Sequence, residues 1–201
     1  MSETKVLLLS NNEIARKLEY RLKEKGCRVT WFEDRVTPEV IQDLSPDLVV
    51  SYNYRHIVKA DVIDLLGDRI LNLHTSLLPW NRGASPNIWS FLEDTPKGVT
   101  IHRLEQGLDT GKILFQKELT FDEETETLSS TYQKLNEAIV DLFLEHWEEI
   151  RTGTFSLQDQ AGEGSSHRVA DLAERLKGQT PDYGMTIREF REWAERIRET
   201  S

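Results

Sequence analysis

The sequence is almost without cysteine: Cys27 is the one cysteine in 201 residues. A lone cysteine cannot form a disulfide within the chain, and it excludes the clustered thiolates of structural zinc sites. No spacing of the other candidate ligands matches a metal-binding motif, so we expect no bound metal. A chain without disulfides is typical of a reducing compartment, and we predict a cytoplasmic location.

Long apolar segments are also missing. No window of the sequence approaches the roughly 18 consecutive apolar residues of a membrane-spanning helix. The N-terminal run KVLLLS is too short for the apolar part of a signal peptide. A hydrophobic content of 38%, with five Trp and seven Phe, is still enough for a core. These features predict a folded domain with no membrane partner.

Basic side chains are outnumbered by acidic ones. The sequence has 25 Lys and Arg against 35 Asp and Glu, which gives a formal net charge of −10. A general nucleic-acid binder neutralises phosphates with clustered Lys and Arg, so we expect no nucleic-acid partner. The same balance is compatible with a small anionic substrate, because a local basic pocket can lie on an acidic protein.

Glycine is absent from the loop after the first predicted strand, which reads Ser10-Asn11-Asn12. In dinucleotide-binding and P-loop proteins, glycine at this point lets the backbone approach a phosphate group. Neither of those motifs occurs in the sequence. We therefore expect no conventional dinucleotide cradle.

What the sequence does contain is an alternation of strand and helix signals through its first half. Apolar runs predict strands at 5–10, 28–32, 48–52 and 70–74, and residues at helical spacing lie between them. This order predicts an α/β fold with a Rossmann-like, doubly wound and mostly parallel sheet. Ligands bind such sheets at the carboxyl ends of the strands.

The next segments add helices and a predicted pair of strands. A Ser85-Pro86 sequence predicts a helix that begins with a cap and a first-turn proline. Strands are predicted at 98–104 and 112–121, as a hairpin-like pair around the loop between them. A long amphipathic helix is predicted from about 127 to 150.

The composition changes after Gly153. A polar stretch rich in Gly and Ser leads to short helical patterns, and a capping-box pattern at Thr186 begins the last predicted helix. We therefore predict a catalytic domain at 1–150 and a small C-terminal helical subdomain at 151–201.

Three polar residues suggest chemistry. Asn72 and His74 are two positions apart on a predicted strand, so their side chains project from the same face. Asp109 lies in the Gly-bounded loop GLDTG. An amide donor, a group that can carry a proton and a carboxylate are the parts that stabilise a tetrahedral acyl-transfer intermediate.

Each of these residues also has a structural interpretation. A lone histidine is more often a satisfied core residue, and Asp109 could simply shape its turn. Two polar groups on one strand face, at the ligand-binding edge, favour the functional interpretation of Asn72 and His74. His102 is the alternative histidine, and we interpret it as a paired core residue. Asp-Thr-Gly at 109–111 is also the tripeptide of aspartic proteases, but the α/β pattern makes that match accidental.

The loop Trp80-Asn81-Arg82-Gly83 follows a proline and carries an aromatic and a basic side chain. Such a pair can stack on a ligand and contact an anion. A loop packed for structural reasons explains the same residues equally well.

Five short motifs occur in a fixed order: Asn-x-His, SLLP, RGxxP, GVTIH and GLDTG. Together they resemble the catalytic core of the formyltransferase family over roughly residues 5–150. The resemblance implies a Rossmann-like sheet, and 10-formyltetrahydrofolate as the formyl donor. It places the family's functional residues at Asn72, His74 and Asp109. A substrate amine would attack the formyl carbon, and Asn72 and protonated His74 would meet the developing oxyanion.

The resemblance also implies a folate pocket between two loops. One wall follows the third predicted strand, and the other is the segment that leads to Asp109. The residues expected to bind the donor are Arg55, His56, Ile57, Val58, Leu104, Gly107 and Asp109.

Within the family, the segments PWNRGASPNIWSF and GSSHR are most similar to small enzymes that formylate amino sugars, free or nucleotide-linked. This similarity implies an amino-sugar N-formyltransferase with a small-molecule acceptor. The residues expected near that acceptor are Ser10, Asn11, Asn12, Trp80, Asn81, Arg82, Asn87, His167 and Arg168.

Other interpretations stay open at this point. Glycinamide ribonucleotide, the acceptor in purine synthesis, is the main alternative. The glycine-free loop at 10–12 departs from the Gly-rich phosphate loop of the enzymes that formylate it. Methionyl-tRNA is not expected for an acidic chain. A folate-binding module without catalysis, or a hydrolase that passes the formyl group to water, would carry the same motifs. The helix ending near Ile150 and the helix of Trp193 are candidate homodimer surfaces.

Overall fold

The computed structural model describes residues 3–199, which form a six-stranded sheet with helices on both faces. The strands are β1 (Lys5–Leu9), β2 (Arg28–Phe32), β3 (Leu48–Tyr52), β4 (Ile70–His74), β5 (Arg82–Gly83), β6 (Lys97–Arg103), β7 (Ile113–Leu119) and β8 (Ser166–His167). The helices are α1 (Arg16–Glu24), α2 (Pro38–Leu44), α3 (Ala60–Leu66), α4 (Pro86–Leu92), α5 (Leu128–Glu145), α6 (Trp147–Thr152), α7 (Val169–Arg175) and α8 (Ile187–Glu199).

The large sheet has the order β2-β1-β3-β4-β6-β7. Strands β1 to β4 are parallel, whereas β6 is antiparallel to both β4 and β7. The predicted Rossmann-like α/β fold is confirmed, and so is the hairpin-like pair of β6 and β7. The short strands β5 and β8 pair separately, in parallel.

Polar side chains cap the beginnings of several helices. The Asn12 side chain accepts a hydrogen bond from the Ile14 N–H, and Thr37 caps α2 ahead of Pro38. The cap predicted at Ser85 is wrong. Ser85 has a left-handed backbone (φ 54°, ψ 43°) and its side chain makes no capping hydrogen bond, so Pro86 alone sets the start of α4.

The long helix predicted to reach residue 150 is broken. Helix α5 ends at Glu145, and α6 begins at Trp147. His146 between them has φ −96° and ψ 15°, and its ring stacks on Phe115 with 3.7 Å between ring centroids. The stacking holds the chain at the break, and sequence periodicity carries no signal for such a contact.

Two hydrophobic cores cover the two faces of the sheet. Alternate residues of β1, β3, β4 and β6 pack under α1 and α5 on one face. The intervening residues of β1 and β3 pack under α2 and α3 on the other. Leu71 and Leu73 belong to the α5 side, so Asn72 and His74 project from the opposite face.

A third hydrophobic cluster joins the C-terminal part of the chain to the first part. Phe190 and Ile187 of α8 pack with Phe91 and Ile88 of α4 and with Leu128 of α5. The predicted capping box at the start of α8 is present, because the Glu189 side chain accepts from the Thr186 N–H at 2.9 Å. The division into domains at 1–150 and 151–201 stays a prediction.

A chain of polar contacts links α5 to the carboxyl ends of β1 and β3. The Tyr52 hydroxyl donates to Asn136 Oδ1 at 2.6 Å, and the Asn53 amide donates to the same oxygen at 3.3 Å. The Asn12 amide donates to the Tyr132 hydroxyl at 3.2 Å. These bonds satisfy buried polar groups and fix the ligand-facing edge of the sheet against one helix. Across residues 3–199, no helix combines the length and apolarity needed to cross a bilayer.

Candidate active site

The register of β4 and β6 brings Asn72 and His102 together. Asn72 pairs with His102 across the antiparallel ladder, and Asn72 Nδ2 lies 3.1 Å from His102 Nε2. Directly opposed residues of antiparallel strands share a face of the sheet. His74 pairs with Thr100 one step further along β4 and projects from this face as well.

Asp109 lies over the same face, in the loop between β6 and β7. Its Oδ1 accepts a hydrogen bond from Asn72 Nδ2 at 3.1 Å, and its Oδ2 accepts one from the Gly83 N–H at 2.8 Å. His74 Nδ1 is 3.6 Å from Oδ2, and His102 Nε2 is 3.4 Å from Oδ1. The structure therefore brings together the three residues selected from the sequence, and it adds His102.

The backbone partners of the two histidines define which ring nitrogen carries a hydrogen. His74 Nε2 lies 3.0 Å from the Asn81 carbonyl oxygen, and His102 Nδ1 lies 2.9 Å from the Arg103 carbonyl oxygen. A carbonyl oxygen only accepts, so each of these nitrogens must carry a hydrogen. The ring nitrogens that make no contact with a carbonyl oxygen are His74 Nδ1 and His102 Nε2. Both face the Asp109 carboxylate.

From the sequence, His102 is interpreted as a paired core residue and as the alternative histidine. It is buried and paired, as expected, with 1% of its surface exposed. Its partners, however, are Asn72 and Asp109. The strand register alone creates this contact, and the sequence of β6 does not reveal it.

The histidines and a backbone N–H keep Asp109 ionised. Burial by itself would raise the pKa of Asp109, but His74, His102 and the Gly83 N–H outweigh burial and hold the pKa well below its ordinary range. The site therefore contains an ionised carboxylate that faces one ring nitrogen of each histidine. This arrangement can hold a proton at His74 or His102, and it can receive positive charge from a reacting amine.

The predicted donor loop lies at the carboxyl end of β3. Ile57 is 91% exposed, while Val58 is buried in the same hydrophobic cluster that Leu104 contacts. The Arg55 N–H donates to Asn11 Oδ1 at 3.1 Å, and Arg55 Nε lies 3.2 Å from His56 Nε2. The two loops predicted to line the folate pocket therefore meet at Val58 and Leu104, and the apolar side chain of Ile57 is exposed beside them.

Gly107 lies at the other side of this region, with φ 125°. A Cβ at this position would come within 2.5 Å of Thr110 Oγ1. Leu108 beside it is 48% exposed. The loop that carries Asp109 thus presents backbone and apolar surface, the features suited to a flat heterocycle.

The predicted acceptor residues after β1 mostly serve the fold. Ser10 is fully buried, and its hydroxyl contacts the backbone of Asn12. The Asn11 side chain donates to the Glu33 carbonyl and accepts from the Arg55 N–H. Asn11 and Asn12 are each half-buried, so part of their surface still lies at the ligand-binding edge.

Asn81 and Asn87, also predicted near the acceptor, are buried. The Asn81 amide donates to Thr95 Oγ1 at 2.7 Å and its oxygen accepts from Ser165 Oγ at 3.2 Å. The Asn87 amide donates to the Leu128 carbonyl, and its Oδ1 is buried with no partner among the residues described. Asn81 therefore acts here through its carbonyl, which fixes His74. Trp80 on the same loop is half-buried.

The predicted acceptor residues of the C-terminal part lie beside the same loop. His167 stacks on Trp89 with 3.8 Å between centroids, and its Nε2 is 3.1 Å from Glu93 Oε2. Arg168 is exposed at the start of α7. Arg82 on β5 is half-buried, and its Nε donates to Gln160 Oε1 at 2.9 Å.

Three residues that complete the site were not selected from the sequence. The Gly83 N–H bonds to Asp109, the Ser165 hydroxyl fixes Asn81, and Gln160 bonds to the Asp109 backbone. Gly83 also lies against the His167 carbonyl, since a Cβ there would be 2.3 Å from that oxygen. The motif RGxxP was a signal for Gly83, whereas the polar stretch that contains Gln160 carries no pattern of its own.

Gly111 closes the Asp109 loop where no side chain fits. A Cβ at Gly111 would lie 1.8 Å from the Arg103 carbonyl oxygen. Gly111→Ala is expected to lower the free energy of unfolding by about 3 kcal/mol, because the backbone must shift to admit the methyl group. Urea denaturation measures this. Gly162→Ala is the control, since its Cβ meets open space at φ +86° and should cost only about 1 kcal/mol. Equal losses in the two variants would contradict the prediction.

Within residues 3–199, no group of three or more His, Cys, Asp and Glu is arranged to hold a metal ion.

Comparison with known proteins gives a family and several similar chains. The family model for formyl transferase matches residues 11–146. The dTDP-4-amino-4,6-dideoxyglucose formyltransferase of Mycobacterium tuberculosis is 34% identical over 128 residues, 64% of this chain and 53% of that protein. The methionyl-tRNA formyltransferase of Thermodesulfovibrio yellowstonii is 34% identical over 140 residues, 68% of this chain and 44% of that protein. The chain thus spans about half or less of the length of the curated relatives it matches.

A solved structure aligns over nearly its whole length. The formyltransferase PseJ from Anoxybacillus kamchatkensis, in complex with UDP-4,6-dideoxy-4-formamido-L-AltNAc and tetrahydrofolate, is 38% identical with a TM-score of 0.85. The alignment covers 94% of this chain and 99% of that one. Because the formyl transferase model matches well over half of its residues, this chain belongs to the formyl transferase family.

Proposed function

We propose that this protein transfers a formyl group from 10-formyltetrahydrofolate to the amine of a nucleotide-linked amino sugar. The observation that carries the proposal is the cluster of Asn72, His74 and Asp109 at the carboxyl end of β4. The Asp109 carboxylate lies within 3.6 Å of both the Asn72 amide and His74 Nδ1. The residues at the donor loop fit a folate ring system, because Ile57 and Leu108 offer exposed apolar surface beside backbone polar groups.

In this proposal, 10-formyltetrahydrofolate supplies the formyl carbon, and the chain supplies charge and proton control. The Asn72 amide and the Nδ1 proton of His74 stabilise the negative charge that develops on the formyl oxygen as the amine attacks. Asp109 balances the charge of His74 while that proton is held. Its carboxylate, through a water molecule, receives the proton that the amine releases. That proton passes to N10 of the donor as the bond between N10 and the formyl carbon breaks and tetrahydrofolate leaves.

Two relatives support the proposed acceptor class. Both the 4-amino-4,6-dideoxyglucose enzyme and the PseJ complex involve a sugar with nitrogen at carbon 4, linked to dTDP and to UDP respectively. We assign the acceptor here as a nucleoside-diphosphate-linked 4-amino-4,6-dideoxy sugar. Arg82 is half-buried and precedes Gly83, whose N–H bonds to Asp109, and we assign its side chain to the acceptor's anionic part.

Formyl transfer should be visible directly by mass spectrometry. The protein would be supplied with 10-formyltetrahydrofolate and a panel of dTDP- and UDP-linked 4-amino sugars, 3-amino sugars and free amino sugars. We expect a one-formyl mass gain on a nucleotide-linked 4-amino sugar. Glycinamide ribonucleotide and methionyl-tRNA belong in the same panel, and a gain on either of them alone would overturn the sugar assignment. Formate release without any acceptor product would indicate a hydrolase.

A further inference from the structure

We propose that Gln160 is a positioning residue that fixes Asp109 and Arg82 relative to each other. Gln160 lies outside the segment 11–146 by which the family is recognised. The inference rests on the proposed function for the roles of those two residues. It concerns a residue to which neither the motifs nor the family match assign a role.

All the hydrogen-bonding atoms of the Gln160 amide are engaged by the site. Its Nε2 donates to the carbonyl oxygens of Asp109 and Gly111, each at 2.8 Å. Its Oε1 accepts from Arg82 Nε at 2.9 Å. A primary amide offers two N–H groups and one oxygen, so one side chain clamps the Asp109 loop and orients the guanidinium at the same time.

The clamp is itself held in place. Two residues before it, Gln158 forms both backbone hydrogen bonds with Ile113, at 2.8 and 2.9 Å. Lys112 and Asp159 form an ion pair at 3.2 Å beside them. This segment therefore runs along the start of β7 and presents Gln160 to the loop from a fixed direction.

Asp109 needs such support because of its backbone conformation. Its φ is 51°, in the left-handed region that a residue with a side chain adopts only at some cost. The Gly83 N–H fixes the carboxylate, and Gln160 fixes the peptide that carries it. The position of the Asp109 charge relative to His74 and His102 thus depends on both contacts.

Gln160→Glu separates the two halves of the clamp. The new carboxylate keeps an oxygen for Arg82, but it loses both N–H donors and turns an acceptor toward the Asp109 and Gly111 carbonyls. We expect kcat to fall by about 10- to 100-fold, as for a small displacement of a catalytic group, with the KM for the acceptor unchanged. Gln160→Met removes both contacts, so it should lower kcat and also raise the acceptor KM.

Gln158→Glu is the matched control. It makes the same substitution on the same segment, at an exposed side chain. If it lowers kcat as much as Gln160→Glu, a general charge effect explains the loss and the proposal is overturned. An unchanged kcat in Gln160→Glu overturns it equally.

A second measurement does not depend on turnover. The imidazole NMR signals of His74 and His102, assigned from His74→Gln and His102→Gln proteins, should shift in Gln160→Glu because the charge beside them moves. The signal of His146, which stacks on Phe115 elsewhere, should stay in place. Unmoved His74 and His102 signals, or equal shifts in all histidines, would refute positioning. If the wild-type protein formylates no sugar, the proposed function fails, and the ring signals still decide the role of Gln160.

Discussion

Asp109→Asn is expected to reduce kcat by about 10³-fold, within the range for removal of a group that manages a proton. Asparagine keeps the size of the side chain and an oxygen for the Gly83 N–H. It removes the negative charge that His74 Nδ1 and His102 Nε2 face, and its amide hydrogens would meet the donating amide of Asn72. The variant would then have no negative charge to balance a charged His74 and no carboxylate to accept the proton that the amine releases.

Steady-state rates with saturating donor and acceptor measure this effect. Asp94→Asn is the matched control, because Asp94 also has a left-handed backbone, at φ 51°, but pairs with Lys97 away from the site. A kcat for Asp109→Asn within a few-fold of the control would refute the assigned role.

The same variant gives a pH test of stability. The folded-state pKa of Asp109 lies below its ordinary value of about 3.9, so its ionisation stabilises the fold above that pH. The stabilisation is lost as the pH falls toward the lowered pKa. In urea unfolding, the wild type should therefore have a larger free energy of unfolding than Asp109→Asn at pH 5 and above. This difference should become smaller in stronger acid.

His74→Ala is expected to abolish measurable turnover, with a loss of about 10³-fold or more, while donor binding is largely retained. The imidazole supplies the proton at Nδ1 on the side of Asp109, and no neighbouring side chain can take its place, because His102 Nε2 already lies against Asn72 and Asp109. The proposed function assigns donor binding instead to the loops around Ile57 and Leu108, both of which are exposed.

The two readouts for His74→Ala are single-turnover rate and calorimetric titration with 5-formyltetrahydrofolate. His146→Ala serves as the control, since it removes a half-buried histidine that stacks on Phe115 outside the site. Near wild-type turnover in His74→Ala would show that the assigned mechanism is wrong. Loss of donor binding together with turnover would place His74 in the donor pocket instead.

The parallel part of the fold and the three polar residues were predictable because they depend on local signals. Apolar runs set β1 to β4, and the rule that ligands meet the carboxyl ends of strands selected the end of β4. Asn72 and His74 share a face because side chains alternate along any strand. The family motifs then connected Asp109 to them.

Most features that sequence reasoning missed depend on contacts between distant segments, and one is a local backbone conformation. His102 joins the site through the register of β4 and β6, and the helix break at His146 reflects its stacking on Phe115. Ser85 takes a left-handed conformation where its residue type suggested a cap. Gln160 and Ser165 lie in a polar stretch that composition marks only as a loop.

The pairing of residues 158–167 with both site loops bears on how relatives can be recombined. This segment bonds to Ile113 and Asp109 on one side and to Pro79, Arg82 and Ala84 on the other. A chimera joined at the end of the recognised homology, after residue 146, would combine a donor-binding half with a foreign clamp. Relatives can therefore exchange acceptor preference as a unit only when the crossover point lies beyond residue 168. Each chimera then keeps residues 158–167 together with the loops that they contact.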